Sequence, residues 1–286
     1  MFERKKSLML FLLPGLAGVL LFYAVPFLGG MAYSFTDGHV PFRWVGLTNY
    51  RAVWGNRMFL LGLKNSLLLS VMCAPTVWLL GFLLAALLCR LKGSGNALRN
   101  SILLPYVMPS SSVLLIWLML FDYGGPINRL ITALGCGRVF FLSGEALRLP
   151  VLLLFVWKNL GFAVIVFLSA MQAVPDAYYE YAALEGAGFL RQCVSITLPC
   201  ILPTCFLMLI LAWVSAFKIF KEVYLIGGAY PDEAAYTLQN YMNNLYGKLN
   251  YPHVSTAAYT FAGMLFLFFG LLFLIQHRST KAVEGE

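Results

Sequence analysis

Residues 175–203 read PDAYYEYAALEGAGFLRQCVSITLPCILP, and the placement of this stretch decides the fold. It sits between two long apolar runs, yet it carries Glu180, Glu185 and Arg191. Each such charge costs roughly 3 kcal/mol at the centre of a bilayer, so the stretch must project into water. Ala182, Ala183, Leu184 and Ala187 favour helix. Pro175 stands where a helix can start, and Gly186 and Gly188 supply a turn. The prediction is a short helical hairpin outside the lipid, too structured to be a mere linker.

The rest of the chain is built for lipid. Its 286 residues are 60% hydrophobic and 11% charged, whereas soluble domains carry about a quarter charged residues. About 20 helical residues cross a ~30 Å hydrocarbon layer, and the stretches 8–33, 62–89, 101–121, 149–173, 201–225 and 255–276 are each long enough. The alternation of a membrane β-barrel is absent. The fold class is therefore an all-α integral membrane protein of six helices, one multi-pass transmembrane domain over 1–286. The opening MFERKKSLMLFLLPGL has the cationic head of a signal peptide, but its apolar run continues through Phe27–Phe35, so it reads as a retained first helix. Six spans put both termini on one side. The cation-dense segments around Arg4–Lys6 and Arg90–Arg99 place that side inside, although Arg129, Arg138, Lys248 and others nearly balance them outside.

Several functions are excluded. The net charge of +8 is spread along the chain rather than gathered into a basic patch with aromatics, so no nucleic acid is expected. The six cysteines show no CxxC spacing, and His39, His253 and His277 are scattered, so no metal site is expected. Gly247-Lys248 is followed by leucine, which rules out a Walker A loop, and neither GxSxG nor HExxH occurs. The chain has no visible means of hydrolysing ATP or of covalent catalysis. It is read as not an enzyme and as binding no cofactor of its own.

The hairpin resembles the EAA loop of binding-protein-dependent ABC importer permeases. That pattern runs Glu-Ala-Ala, then Asp-Gly-Ala, then Ile-x-Leu-Pro. Here Glu180 holds the glutamate, Tyr181 stands at the first alanine and Ala182 keeps the second. Glu185 replaces the aspartate, Gly186 and Ala187 match, and Ile196, Leu198 and Pro199 complete the tail. The resemblance implies a cytoplasmic coupling loop over 175–200 in which Glu180, Ala182, Glu185, Gly186 and Ala187 engage an ATPase subunit. It also implies a type I importer transmembrane core over 62–276.

A second signature lies near the amino end. Ser34-Phe35-Thr36-Asp37, then Val45-Gly46-Leu47-Thr48-Asn49-Tyr50, then Asn65-Ser66, looks like the start of sugar and glycerol-phosphate importer permeases of the maltose-type class, and fits the F-like subunit. On chemistry alone, Asn49 suits the cap of a short amphipathic helix through Phe59, and Trp44, Tyr50 and Trp54 suit a membrane interface. The class often carries Thr-x-Gly-Gly-Pro after the fifth helix, where this chain reads Ile226-Gly227-Gly228-Ala229-Tyr230-Pro231. The resemblance implies a bacterial cytoplasmic membrane protein with both termini cytoplasmic. Its implied partners are a second permease subunit in a heterodimer, two ATP-binding subunits that use ATP and Mg, and an extracytoplasmic solute-binding protein. The implied cargo is a carbohydrate.

Ionisable groups inside spans are candidates for the translocation path. Lys158, with Asn159 beside it, lies in the fourth span, and Ser215, Lys218 and Glu222 lie in the fifth. Lys218 and Glu222 are spaced for one helical face, but Lys before Glu is the weaker order, so Glu222 is expected to pair across helices with Lys158 instead. Pro75, Pro105 and Pro109 are expected to kink their helices. The alternatives are a permease of the same kind for a non-sugar solute and an ion-coupled secondary transporter. The latter predicts inverted repeats and mid-membrane acids that the sequence lacks.

Overall fold

The computed structural model describes residues 12–90 and 95–284, with side chains for all of these except 95–100, 275 and 277–284. The expected first turn of the first span and the basic residues Arg4–Lys6 lie outside the described residues. In chain order the helices are α1 (Leu12–Tyr33, with a π-turn at Leu20–Ala24), α2 (Thr48–Trp54), α3 (Arg57–Arg90), α4 (Gly95–Val107), α5 (Ser110–Phe121) and α6 (Pro126–Ala133). They continue with α7 (Arg148–Met171), α8 (Asp176–Leu184), α9 (Phe189–Gln192), α10 (Leu202–Phe217), α11 (Lys221–Gly227), α12 (Leu238–Gly247) and α13 (Tyr251–Glu284). Among the described residues the only extended pairing is one bridge between Thr36 and Trp44. Among the described residues six helical stretches are long and apolar enough to cross a membrane: Leu12–Tyr33, Arg57–Arg90, Ser110–Ala133, Gly144–Met171, Leu202–Gly227 and Tyr251–Leu274.

Two expected spans prove discontinuous. The stretch 101–121 breaks between Val107 and Ser110, where Pro109 takes an extended backbone (ψ 130) as the N-cap of α5. A proline has no N–H to leave orphaned at that position and disfavours helix in the residue before it. Pro75 and Pro105 stay inside α3 and α4. The stretch 201–225 breaks at Lys218–Phe220, between α10 and α11. Lys218 and Glu222 therefore belong to different elements and share no helical face.

One compact unit comprises Met1–Leu60 with Tyr241–Phe266. The amino-end signature forms its knot. Asn49 is buried, and its amide donates to the carbonyls of Ser34 and Thr36, each at 2.8 Å. The Ser34 hydroxyl lies 2.9 Å from that of Tyr50. The Phe35 ring has Trp44 at 5.2 Å and Tyr50 at 5.1 Å. Asp37 accepts the backbone N–H groups of Arg43 and His39 at 3.1 Å, and the Arg43 bond in particular holds its carboxyl below the usual range. Asn49 is thus not a cap: α2 starts after Leu47 and ends at Trp54. Capping falls instead to Asn56, whose side-chain oxygen accepts from Met58 N–H at 2.8 Å and opens α3.

The other unit comprises Leu61–Asn240 with Leu267–Glu286. Its core joins Cys73, Ala74 and Val77 of α3 to Ala163, Val164 and Phe167 of α7 and to Cys205, Met208 and Ala212 of α10. Lipid is as apolar as these side chains, so close packing rather than water exclusion holds such helices together. A Cβ at Gly81 would stand 2.7 Å from that of Ala163, and one at Gly161 would land on the carbonyl of Ile102. The Trp78 indole donates to the Cys205 carbonyl at 2.8 Å. Asn65 and Ser66, expected at a helix start, lie inside α3 and act as a clamp. The Asn65 amide donates to the carbonyls of Glu233 and Tyr236 at 2.6 and 3.0 Å, and Ser66 accepts from Leu238 N–H at 2.9 Å.

Candidate functional site

The hairpin forms as its residues dictate. Pro175 is the N-cap of α8, and Asp176 places a negative charge in the first turn, where the helix dipole favours it. At the other end Gly186 takes φ +74. Its N–H donates to Ala183 at 3.0 Å and that of Ala187 to Ala182 at 2.9 Å, the paired bonds of a Schellman cap. The turn therefore has a defined shape. Glu180, Glu185 and Gly186 are exposed, and Ala182 and Ala187 are half-buried.

The sequence reading missed the face beside them. Tyr178, Tyr181 and Leu184 recur every third residue and are 53%, 72% and 85% exposed. An apolar stripe on a helix outside the candidate spans suits docking into a groove of another protein. The period is legible in the sequence, as an apolar or aromatic side chain at every third position from 178 to 184. On the opposite face the Tyr179 hydroxyl meets that of Thr197 at 3.0 Å, and burial pushes its pKa up. After α9 the chain continues as a π-helix, Cys193–Thr197, and a last turn, Leu198–Cys200. A groove of about 670 Å³ opens here, lined by Arg90, Asp176, Tyr179, Glu180, Gln192 and Thr197 among others.

Three side chains tie the hairpin to α3. Arg90 donates to the Gln192 side-chain oxygen at 2.7 Å and holds its guanidinium over the Phe189 ring at 4.2 Å. The Gln192 amide then donates to the Ala187 carbonyl at 2.9 Å. No local spacing announces this contact, because it joins residues 102 positions apart.

Within the spans, Lys158 and Glu222 meet as expected. Their charged atoms are 3.9 Å apart, with the side chains 16% and 17% exposed. Ser110 completes the cluster: it accepts from Lys158 and donates to Glu222 at 3.2 Å. Ser110 is the first residue of α5, so the break at Pro109 brings the positive end of a helix to this carboxylate. The remaining candidates stand apart from it. Asn159 donates to the Phe155 carbonyl of its own helix at 2.8 Å, Ser215 is half-buried in α10, and Lys218 is exposed at the C-cap of α10. The cluster offers a hydroxyl, an ammonium and a carboxylate, groups able to hydrogen-bond a polyol.

Residues 77–281 match the family model described as "Binding-protein-dependent transport system inner membrane component". The diacetylchitobiose uptake system permease protein NgcF of Streptomyces coelicolor is 30% identical, over 100% of this chain and 86% of its own length. The polygalacturonan/rhamnogalacturonan transport system permease protein YteP of Bacillus subtilis is 32% identical, over 99% and 90%. In three dimensions the chain superposes on a chain from the crystal structure of a bacterial ABC transporter that imports alginate. There the TM-score is 0.84 at 24% identity, covering 96% of both chains, which establishes a shared fold.

Proposed function

Because the chain belongs to the family of binding-protein-dependent transport system inner membrane components, we propose that it is the permease subunit of an ATP-driven importer for a carbohydrate. The relatives named for oligosaccharide and polysaccharide uptake support the cargo class. The observation that carries the mechanism is the hairpin: a rigidly capped helix displaying Tyr178, Tyr181 and Leu184 to solvent. In this reading the hairpin and both termini are cytoplasmic, and α8 docks on one of two ATPase subunits, which bind ATP and Mg. A second permease subunit completes the pathway, and a solute-binding protein delivers cargo from outside.

The work of the chain is mechanical. Closure of the ATPase dimer displaces α8, which acts as a lever because its end is fixed by the Gly186 turn. Glu180, exposed beside the apolar stripe, pairs with a basic group of the docking groove, while Ala182, Gly186 and Ala187 allow close approach. The spans then alternate access around a cavity in which Lys158, Glu222 and Ser110 meet the cargo's hydroxyl groups. The substrate crosses chemically unchanged. Uptake of a labelled oligosaccharide is the test: it requires both the ATPase and the binding protein. Uptake that persists when the ATPase gene is deleted would overturn this reading in favour of an ion-coupled carrier.

A further inference from the structure

We propose that Arg90 is a positioning residue that couples the hairpin to α3, so that movement of α8 reaches a span to which it is not joined in sequence. The inference rests on the reading of 175–200 as the coupling hairpin and adds the route by which its motion enters the membrane. Covalently, the hairpin joins only α7, before it, and α10, after it. α3 runs from Arg57 to Arg90, a rod of about 50 Å at ~1.5 Å per residue. Pro75 lies midway along it, and Arg90 is its last described residue, so a pull on Arg90 acts on the half of α3 that follows the proline.

The bonding chain is directional and determined. Arginine can only donate, so the Gln192 oxygen must face it, which leaves the Gln192 NH2 group to donate to a backbone carbonyl, itself only an acceptor. That carbonyl belongs to Ala187, whose own N–H donates to Ala182 within α8. One continuous series therefore runs from the end of α3 through Gln192 to the cap of the coupling helix. Gln192, the middle member, is 8% exposed, so water competes little for its amide although Arg90 itself is exposed, and linked hydrogen bonds polarise one another. The Phe189 ring under the guanidinium fixes its plane.

The test uses the assembled importer in proteoliposomes with its ATPase, binding protein and a labelled oligosaccharide. Arg90→Met keeps the stem and removes donors and charge. Transport per ATP hydrolysed should fall about tenfold, the scale of an ordinary coupling between sites, while ATP hydrolysis stays within about twofold of wild type. Gln192→Glu still accepts from Arg90 but offers Ala187 no donor, so it should show the same split. Arg90→Met/Gln192→Glu should be no worse than either single change, because the two residues act in series. Arg90→Lys, which keeps a donor and the charge, should recover part of the loss, and it gives the same reading if Arg90→Met fails to assemble. Unchanged transport per ATP in the assembled variants overturns the relay, and so does a parallel loss of hydrolysis and transport. Wild-type complex that transports without ATP overturns the function itself, so the two failures are distinguishable.

Discussion

Asn49 shows how a residue type can be right and its role misread. Asparagine before a short helix is good capping chemistry, and the residue is indeed fully engaged, but its amide serves Ser34 and Thr36, 15 and 13 positions back. Asn49→Ala takes the donor from the half-buried Thr36 carbonyl and leaves the Ser34 carbonyl only the Thr256 hydroxyl at 3.3 Å, a loss of about 1–3 kcal/mol. Thermal unfolding in detergent should show a clear drop in Tm. Asn49→Asp should be at least as damaging, because a carboxylate has no donor to offer either carbonyl. Gly186 was legible from composition alone, since a glycine after alanines and before the next helix asks for a left-handed cap. At φ +74, Gly186→Ala adds about 1–2 kcal/mol of backbone strain without meeting any neighbour. ATP-driven uptake should fall while membrane insertion, read by immunoblot of the membrane fraction, stays normal.

The helices themselves were easier to read than their interruptions. Apolar length gives the six spans because lipid admits little else, but length cannot say where a span breaks. The break at Pro109 and the turn at Lys218–Phe220 are tertiary choices: they bring Ser110 and Glu222 to Lys158, three residues from three helices. Removing one partner leaves a poorly solvated charge, at a cost on the order of 3 kcal/mol. Lys158→Met and Glu222→Gln should each lower Tm, and the double variant should regain much of the loss. If the cluster also meets cargo, transport will not recover with stability, so uptake and unfolding measured on the same three variants separate the two roles. Close packing makes its own prediction. Gly161→Ala drives a methyl onto the Ile102 backbone, and overpacking of this kind costs about 1–3 kcal/mol. Gly137→Ala, whose added methyl meets nothing, is the matched control and should leave Tm unchanged.

Taken whole, the chain announces its class through one contradiction, a charged hairpin inside a hydrophobic sequence, and the structure forms that hairpin with Gly186 at its turn. The sequence could not show what the hairpin is tied to. Arg90, Gln192 and Ser110 make contacts over distances in sequence that no periodicity encodes, and of five proposed cavity residues only Lys158 and Glu222 come together. The central claim is that this hairpin faces the cytoplasm and receives an ATPase there. Of its two native thiols, Cys200 ends the hairpin and Cys193 is a poor reporter, since it is 4% exposed and burial pushes its pKa up. Leu184, at 85% exposure, is the better site. The direct measurement is labelling of Leu184→Cys by a membrane-impermeant maleimide, with Cys89, Cys136 and Cys200 changed to Ser. The thiol should react in inside-out vesicles, be protected there when the ATPase is present, and stay unlabelled in intact cells. Labelling in intact cells would put the hairpin on the wrong side of the membrane and contradict the account.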